Sequence, residues 1–222
     1  MKKIFLSLLC SMLVLSGCSK QTMSSTTTTS STTSSNESSE DIVLSDIYDN
    51  LPDENQFDLM EKDDLKTFIE HGTGILYFSF PECPWCQAYI PMLNEVLENN
   101  DVRAYYYNIH VDKEDDRDFY DEIAQLLIDH NKSDDENVVL YGNDGKPLIY
   151  MPLVLFIENG EIKSWNGESN TNDSDEILPE DYWTTERVTN LKNVLDESIK
   201  ENKEAQEEND AKGCDTGCSY GS

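Results

Sequence analysis

The apolar positions of this chain recur with two different periods, and the switches between them outline the elements. From Asp58 to Glu70, Leu59, Met60, Leu65, Phe68 and Ile69 fall on one helical face, and His71-Gly72 closes the pattern; a helix is predicted there. "GILYFSF", Gly74 to Phe80, is then apolar at almost every position, as in a strand buried on both faces of a largely parallel sheet. Helical spacing returns over Pro84 to Asn99 through Ile90, Leu93, Val96 and Leu97. "VRAYYYNIHV", Val102 to Val111, predicts a second strand, and Arg117 to Asn131 a further amphipathic helix.

Turn chemistry organises the rest. Asn137 to Tyr150 contains "NDG" and reads as a loop or small hairpin. Pro152 to Trp165 is strand, "ENG" turn and strand, a β-hairpin. Ser169 to Asp181 reads as a surface loop. A last helix is expected from about Thr184 to Asn209, with Val188, Leu191, Val194, Leu195 and Ile199 as its buried stripe. Asp41 to Asn55 is a loose lead-in or a first short strand. Strands joined by helices imply parallel pairing, and the terminal hairpin adds an antiparallel edge. The expected fold is α/β: a three-layer α/β/α sandwich with a central mixed sheet.

The chain upstream of this domain has a different character. Met1 to Gly17 opens with Lys2 and Lys3 and continues in an apolar stretch too short to anchor comfortably across a bilayer, which reads as a signal peptide. "LSGC", Leu15 to Cys18, is similar to the lipobox of bacterial lipoproteins, which implies lipid attachment to Cys18; the alternative is a plain secreted protein with an incidental cysteine. Residues 18–40 are almost entirely Ser and Thr after the cysteine. They offer too little apolar surface to offset the entropy of ordering, so a flexible tether is expected. The domain organisation that follows is signal peptide 1–17, lipidated cysteine and tether 18–40, folded domain 41–210 and a Gly/Cys tail 211–222.

The formal charge is −29 over 222 residues, from 45 acidic and 16 basic side chains. Such a surface repels phosphate backbones, so nucleic-acid binding is not expected. Acidic runs such as "EKDD" and "DKEDDRD" read as solvated faces.

Six cysteines are present. Cys10 falls in the signal peptide and Cys18 takes the lipid. The other four form two close pairs, Cys83/Cys86 and Cys214/Cys218, and outside the cell paired thiols tend to oxidise. Cys83 directly follows a predicted strand and opens a predicted helix, with Pro84 suited to the first helical turn. Helix-terminal amides and the helix dipole favour a thiolate on Cys83, the attacking species, and Cys86 lies one turn further in, placed to resolve a mixed disulfide. Glu82, beside it, works against a second negative charge. A structural disulfide would close too little chain to constrain the unfolded state much, and a zinc site would need further ligands, which the tail cysteines could supply.

At "CPWC", Cys83 to Cys86, the chain resembles the thioredoxin family. Pro91 stands where that family carries a helix-kinking proline, and "MPLVLFIENGE", Met151 to Glu161, resembles the segment in which a cis-proline opens the strand of the final hairpin. The resemblance covers about Asp58 to Asn209, with long insertions before Pro152 and after Trp165. It implies a thioredoxin-like fold, catalytic Cys83 and Cys86, and a substrate groove shaped by Pro152, with Met151 offering backbone hydrogen bonds. Trp85, between the cysteines and expected to be exposed, either joins that groove by contacting a substrate chain or serves only as spacing. Two positions depart from the family pattern. Its buried acid, six residues before the first cysteine, is Tyr77 here, and its preceding tryptophan is Glu82.

"GCDTGC" beyond the last helix leaves several readings open. Cys214 and Cys218 form a second redox pair that shuttles electrons to Cys83/Cys86, an inert local disulfide, a metal site, or a link to another protein. His71, His110 and His130 are scattered and read as surface or strand-end residues; Tyr105 to Tyr107 reads as strand filling. The expected function is that of a membrane-anchored extracellular thiol–disulfide oxidoreductase acting on protein or peptide cysteines. It needs no cofactor beyond its own thiols and works with a redox partner the sequence does not name. Thioredoxin-like proteins associated with maturation of disulfide-bearing bacteriocins mark one possible niche. The alternative is a non-catalytic binding or adhesion lipoprotein on the same scaffold.

Overall fold

A strand covered on both faces has to be apolar at successive positions, and Gly74–Phe78 is buried along its whole length. Residues 42–167 and 177–211 are described by a computed structural model. In chain order the elements are α1 (Leu44–Ile47), β1 (Phe57–Leu59), α2 (Lys62–His71), β2 (Gly74–Phe78), α3 (Pro84–Asn100), β3 (Ala104–Tyr107), α4 (Ile109–Asp115) and α5 (Arg117–His130). They continue with the short pair β4 (Leu140–Tyr141) and β5 (Pro147–Leu148), then β6 (Leu153–Glu158), β7 (Glu161–Asn166), α6 (Pro179–Tyr182) and α7 (Thr185–Ala211). The main sheet has the order β1-β3-β2-β6-β7. β3 runs parallel to β1 and β2, while β6 is antiparallel to both β2 and β7.

Side chains alternate across the sheet, and each face buries a different core. Ile75, Tyr77, Tyr106, Val154 and Phe156 pack with α1, α3 and α7. Leu76, Phe78, Tyr107, Leu155 and Ile157 pack with α2, α4 and α5. The result is the expected thioredoxin-like α/β/α sandwich around a mixed sheet.

Several boundaries differ from the sequence reading. Phe57–Leu59 pairs with Ala104–Tyr106 instead of starting a helix, held at its ends by Ala104 N–H to Gln56 O and Met60 N–H to Tyr106 O, both 2.9 Å. Tertiary pairing overrides the local helical spacing there. The lead-in holds a short helix, α1, rather than a strand. β3 stops at Tyr107 because Asn108 caps α4, its side chain accepting from the His110 N–H at 3.2 Å; His110 and Val111 are therefore helical. Val194 is half exposed, so the buried stripe of α7 is Leu191, Leu195 and Ile199, with Val188 at its margin. The "DKEDDRD" run is not all solvated: Asp112 is 5 % exposed, and it accepts from Lys62 Nζ at 2.5 Å and from the Tyr107 hydroxyl at 2.7 Å. Tyr107 is thus more than strand filling, and Lys62 of "EKDD" ties α2 to α4.

Cys18, the Ser/Thr-rich tether, Cys214 and Cys218 lie outside the described residues. Among the described residues no helix is long and apolar enough to cross a membrane.

Candidate active site

The end of β2 and the start of α3 place the first cysteine pair. After Phe78 the chain turns through Ser79 to Glu82, and the Cys83 N–H bonds the Phe80 carbonyl at 3.2 Å. Cys83 is the N-cap of α3: its backbone is extended, and its sulfur accepts from the Cys86 N–H at 3.1 Å, taking the role a Ser or Asp oxygen takes at other helix starts. Pro84 occupies the first turn, where no N–H is required. Pro91 sits inside α3, where its ring withholds a donor from the carbonyl of Gln87.

The two sulfurs live in different surroundings. Cys83 retains 6 % exposure and Cys86 none, so a substrate approaching from solvent meets Cys83 first. The Cys86 side chain, donating toward the Cys83 sulfur, holds the Cys83 pKa below the ordinary thiol range. The amides of Cys86 and Trp85 add to this, and burial opposes it. Cys86 moves the opposite way: burial raises its pKa first, and the neighbouring Cys83 raises it further. Glu82 is exposed and does not figure among the groups that move Cys83.

The third part of the site comes from the far end of the chain. Met151-Pro152 is a cis peptide immediately before β6. The register of β6 beside β2 brings it against the cysteines, and the Cys83 thiol donates to the Met151 carbonyl at 3.8 Å. Pro152 is buried and Met151 half-buried. The Cys83/Cys86 pair and Met151-Pro152, far apart in sequence, therefore meet where β2 ends and β6 begins, in the middle of the sheet. No protein-family model matches the chain, and no curated protein matches it. The geometry of this site therefore carries the functional reading.

Trp85 departs from expectation. It is half-buried, and its ring meets Tyr182 edge-on at 5.1 Å, with Tyr182 in turn 4.9 Å from Trp183. Arg187 covers the Tyr182 ring at 4.0 Å. This aromatic wall borders an open groove of about 570 Å³ lined by Asp49, Glu82, Pro84, Gln87, Pro179 and Trp183. Sequence reading missed it; the adjacent Tyr182-Trp183 in an otherwise polar stretch was the available signal.

A second omission lies beneath Cys86. Tyr48, Ser79 and Tyr106 are buried together, with Tyr48 Oη 2.6 Å from Ser79 Oγ and 3.1 Å from Tyr106 Oη. Tyr77 adjoins them. Among the described residues no three or more His, Cys, Asp or Glu side chains gather to hold a metal ion. His110 stacks on Phe80 at 4.2 Å, and His130 Nδ1 donates to the Gly160 carbonyl at 2.6 Å, so these two rings serve packing and turn closure.

The contrast between the sulfurs predicts site-selective alkylation. In the reduced protein, iodoacetamide should label Cys83 with a pH midpoint below the ordinary thiol range, since a lowered pKa leaves more thiolate at neutral pH. Cys86 should resist until the pH is far higher. Peptide mapping by mass spectrometry reads both sites; equal labelling would contradict the asymmetry.

Proposed function

We propose that this chain is an extracytoplasmic thiol–disulfide oxidoreductase that acts on protein or peptide cysteines and is held at the membrane by a lipid on Cys18. The observation that carries the reading is the Cys83 sulfur at the start of α3, accepting from the Cys86 N–H at 3.1 Å, with the Cys86 side chain one turn behind it. The Cys83 thiolate attacks one sulfur of a substrate disulfide, forming a mixed disulfide and releasing the other substrate sulfur as a thiolate. The Cys86 sulfur then attacks Cys83 Sγ. A Cys83–Cys86 disulfide forms, the second substrate sulfur leaves, and two electrons have passed from protein to substrate. The reverse sequence oxidises a substrate dithiol. The relative stability of the two forms of the pair sets the direction, so its reduction potential against glutathione decides between reductant and oxidant.

The signal-like segment, "LSGC" and the polar tether support a position outside the membrane, where disulfides persist. The groove beside Trp183 and the Met151 carbonyl beside Cys83 supply surface for an extended peptide. The test is insulin-disulfide reduction with dithiothreitol as electron source. The full chain should accelerate turnover severalfold over dithiothreitol alone; a rate equal to that background would refute the reading.

A further inference from the structure

Burial makes the resolving sulfur hard to ionise, and among the described residues no carboxylate figures among the groups that act on it. Among the described residues the one buried acid is Asp112, and it is engaged by Lys62 and Tyr107 on the opposite face of the sheet. Beside Cys86 the buried polar groups are instead hydroxyls. The Ser79 hydroxyl and the Phe80 backbone N–H both favour the Cys86 thiolate, against the larger effects of burial and of the neighbouring Cys83. Ser79 Oγ is bonded to Tyr48 Oη at 2.6 Å, and Tyr48 to Tyr106 at 3.1 Å; in both bonds either oxygen can donate. Tyr77 is fully buried with its ring 6.2 Å from that of Tyr106, and its hydroxyl makes no hydrogen bond of normal geometry among the described residues; Ser79 and Cys86 are among the groups that act on it. A buried, unpartnered donor is uncommon and calls for a role.

We propose that Tyr106, Tyr48 and Ser79 form a hydroxyl chain that stabilises the Cys86 thiolate while it resolves a mixed disulfide, with the orphaned Tyr77 hydroxyl as a second donor. This inference rests on the oxidoreductase reading and assigns positioning residues to its second step. When Cys86 ionises, each hydroxyl donates one step toward the sulfur: Tyr106 to Tyr48, Tyr48 to Ser79, Ser79 to Cys86. Donors aligned in series polarise one another, and in a dry interior a donor to an anion counts for more than in water. Burial holds Tyr48 and Tyr77 well above the ordinary phenol range and pushes Tyr106 up to about 12, so all three stay protonated and act as donors, never as bases. The titratable groups around Cys86 are then Cys83, Tyr48, Tyr77 and Tyr106, with Glu82 acting at longer range on Tyr106.

Oxidised glutathione separates the two steps. The Cys83 thiolate attacks it, giving a Cys83–glutathione disulfide and one glutathione thiolate. Cys86 then forms the Cys83–Cys86 disulfide, and its proton ends on the second departing glutathione sulfur. Acid quenching and peptide mapping of the full chain follow both species. In Ser79→Ala the first step should stay within about twofold of the parent, and resolution should slow about tenfold, the loss of one donor to an anion. The resolution profile should also move to higher pH. Tyr48→Phe, which removes only the oxygen that orients Ser79, should slow resolution by a smaller factor and decides the matter if Ser79→Ala does not fold. Tyr77→Phe should likewise slow the second step alone. Resolution within twofold of the parent, with an unmoved pH profile, in both Ser79→Ala and Tyr48→Phe would overturn the hydroxyl chain and leave the oxidoreductase reading standing. A parent chain that never resolves the glutathione adduct would overturn both.

Discussion

Cys83→Ser should abolish the proposed disulfide exchange, by about a thousandfold or more, because an alcohol at the start of α3 is not ionised near neutral pH and cannot replace the thiolate. Cys86→Ser behaves differently. Cys83 should still attack, but with nothing behind it to displace the captured sulfur, covalent complexes should accumulate. The two variants therefore give opposite signatures on a non-reducing gel with a disulfide-bearing substrate, no adduct for the first and a persistent, thiol-sensitive adduct for the second. Their asymmetry follows from the slight exposure that Cys83 retains against the full burial of Cys86. A Cys83→Ser chain that keeps more than a tenth of parent turnover would place the chemistry elsewhere, and Cys214 and Cys218 would be the next pair to replace.

The largest effect on stability is expected at Gly160→Ala. Gly160 turns β6 into β7 at φ +77, donates its N–H to the Gly72 carbonyl at 2.9 Å and accepts from His130. A methyl group there would stand 1.9 Å from the Glu70 carbonyl oxygen, a backbone atom of α2 that cannot swing aside. The positive φ and the enforced backbone shift together should cost about 2–5 kcal/mol. For a domain of this size that lowers Tm by about 5–15 °C. Gly145→Ala is the control. Gly145 has a similar φ of +75, yet beyond its own chain neighbours no atom lies within 4 Å of the added carbon, so only the conformational cost of about 1 kcal/mol applies. Thermal melts of the two variants separate strain from collision, and equal losses would show that the close approach to α2 is unimportant.

Gly160 also illustrates what a linear reading can and cannot reach. "ENG" identifies a turn from local chemistry, because Asn and Gly tolerate positive φ. That α2 presses against this turn is a tertiary fact, invisible in the three letters. The same division runs through the site. "CPWC" after an apolar run contains its own geometry: strand, cap, proline and helix are neighbours in sequence, so the N-capping sulfur was legible in advance. The Ser79 hydroxyl was just as near in sequence, yet its meaning depended on Tyr48 and Tyr106, which β-pairing and the packing of α1 bring to it from 31 and 27 residues away.

Taken alone, then, the amino-acid order determined whatever local stereochemistry dictates: the periods of most helices and strands, the two turns, the cap at Cys83 and the pairing of cysteines into close doublets. It also set the excess negative charge, which depends on no fold. Tertiary structure decided the questions of proximity. It made a strand of Phe57–Leu59 by offering β3 as partner, buried Asp112 within an acidic run, turned Trp85 onto Tyr182 and gathered buried hydroxyls in the core beside Cys86. The physical reason is range. Dihedral preference and capping act within one turn of chain, whereas burial and hydrogen-bond partnership depend on which distant residues the sheet order brings together, and no local pattern encodes that order.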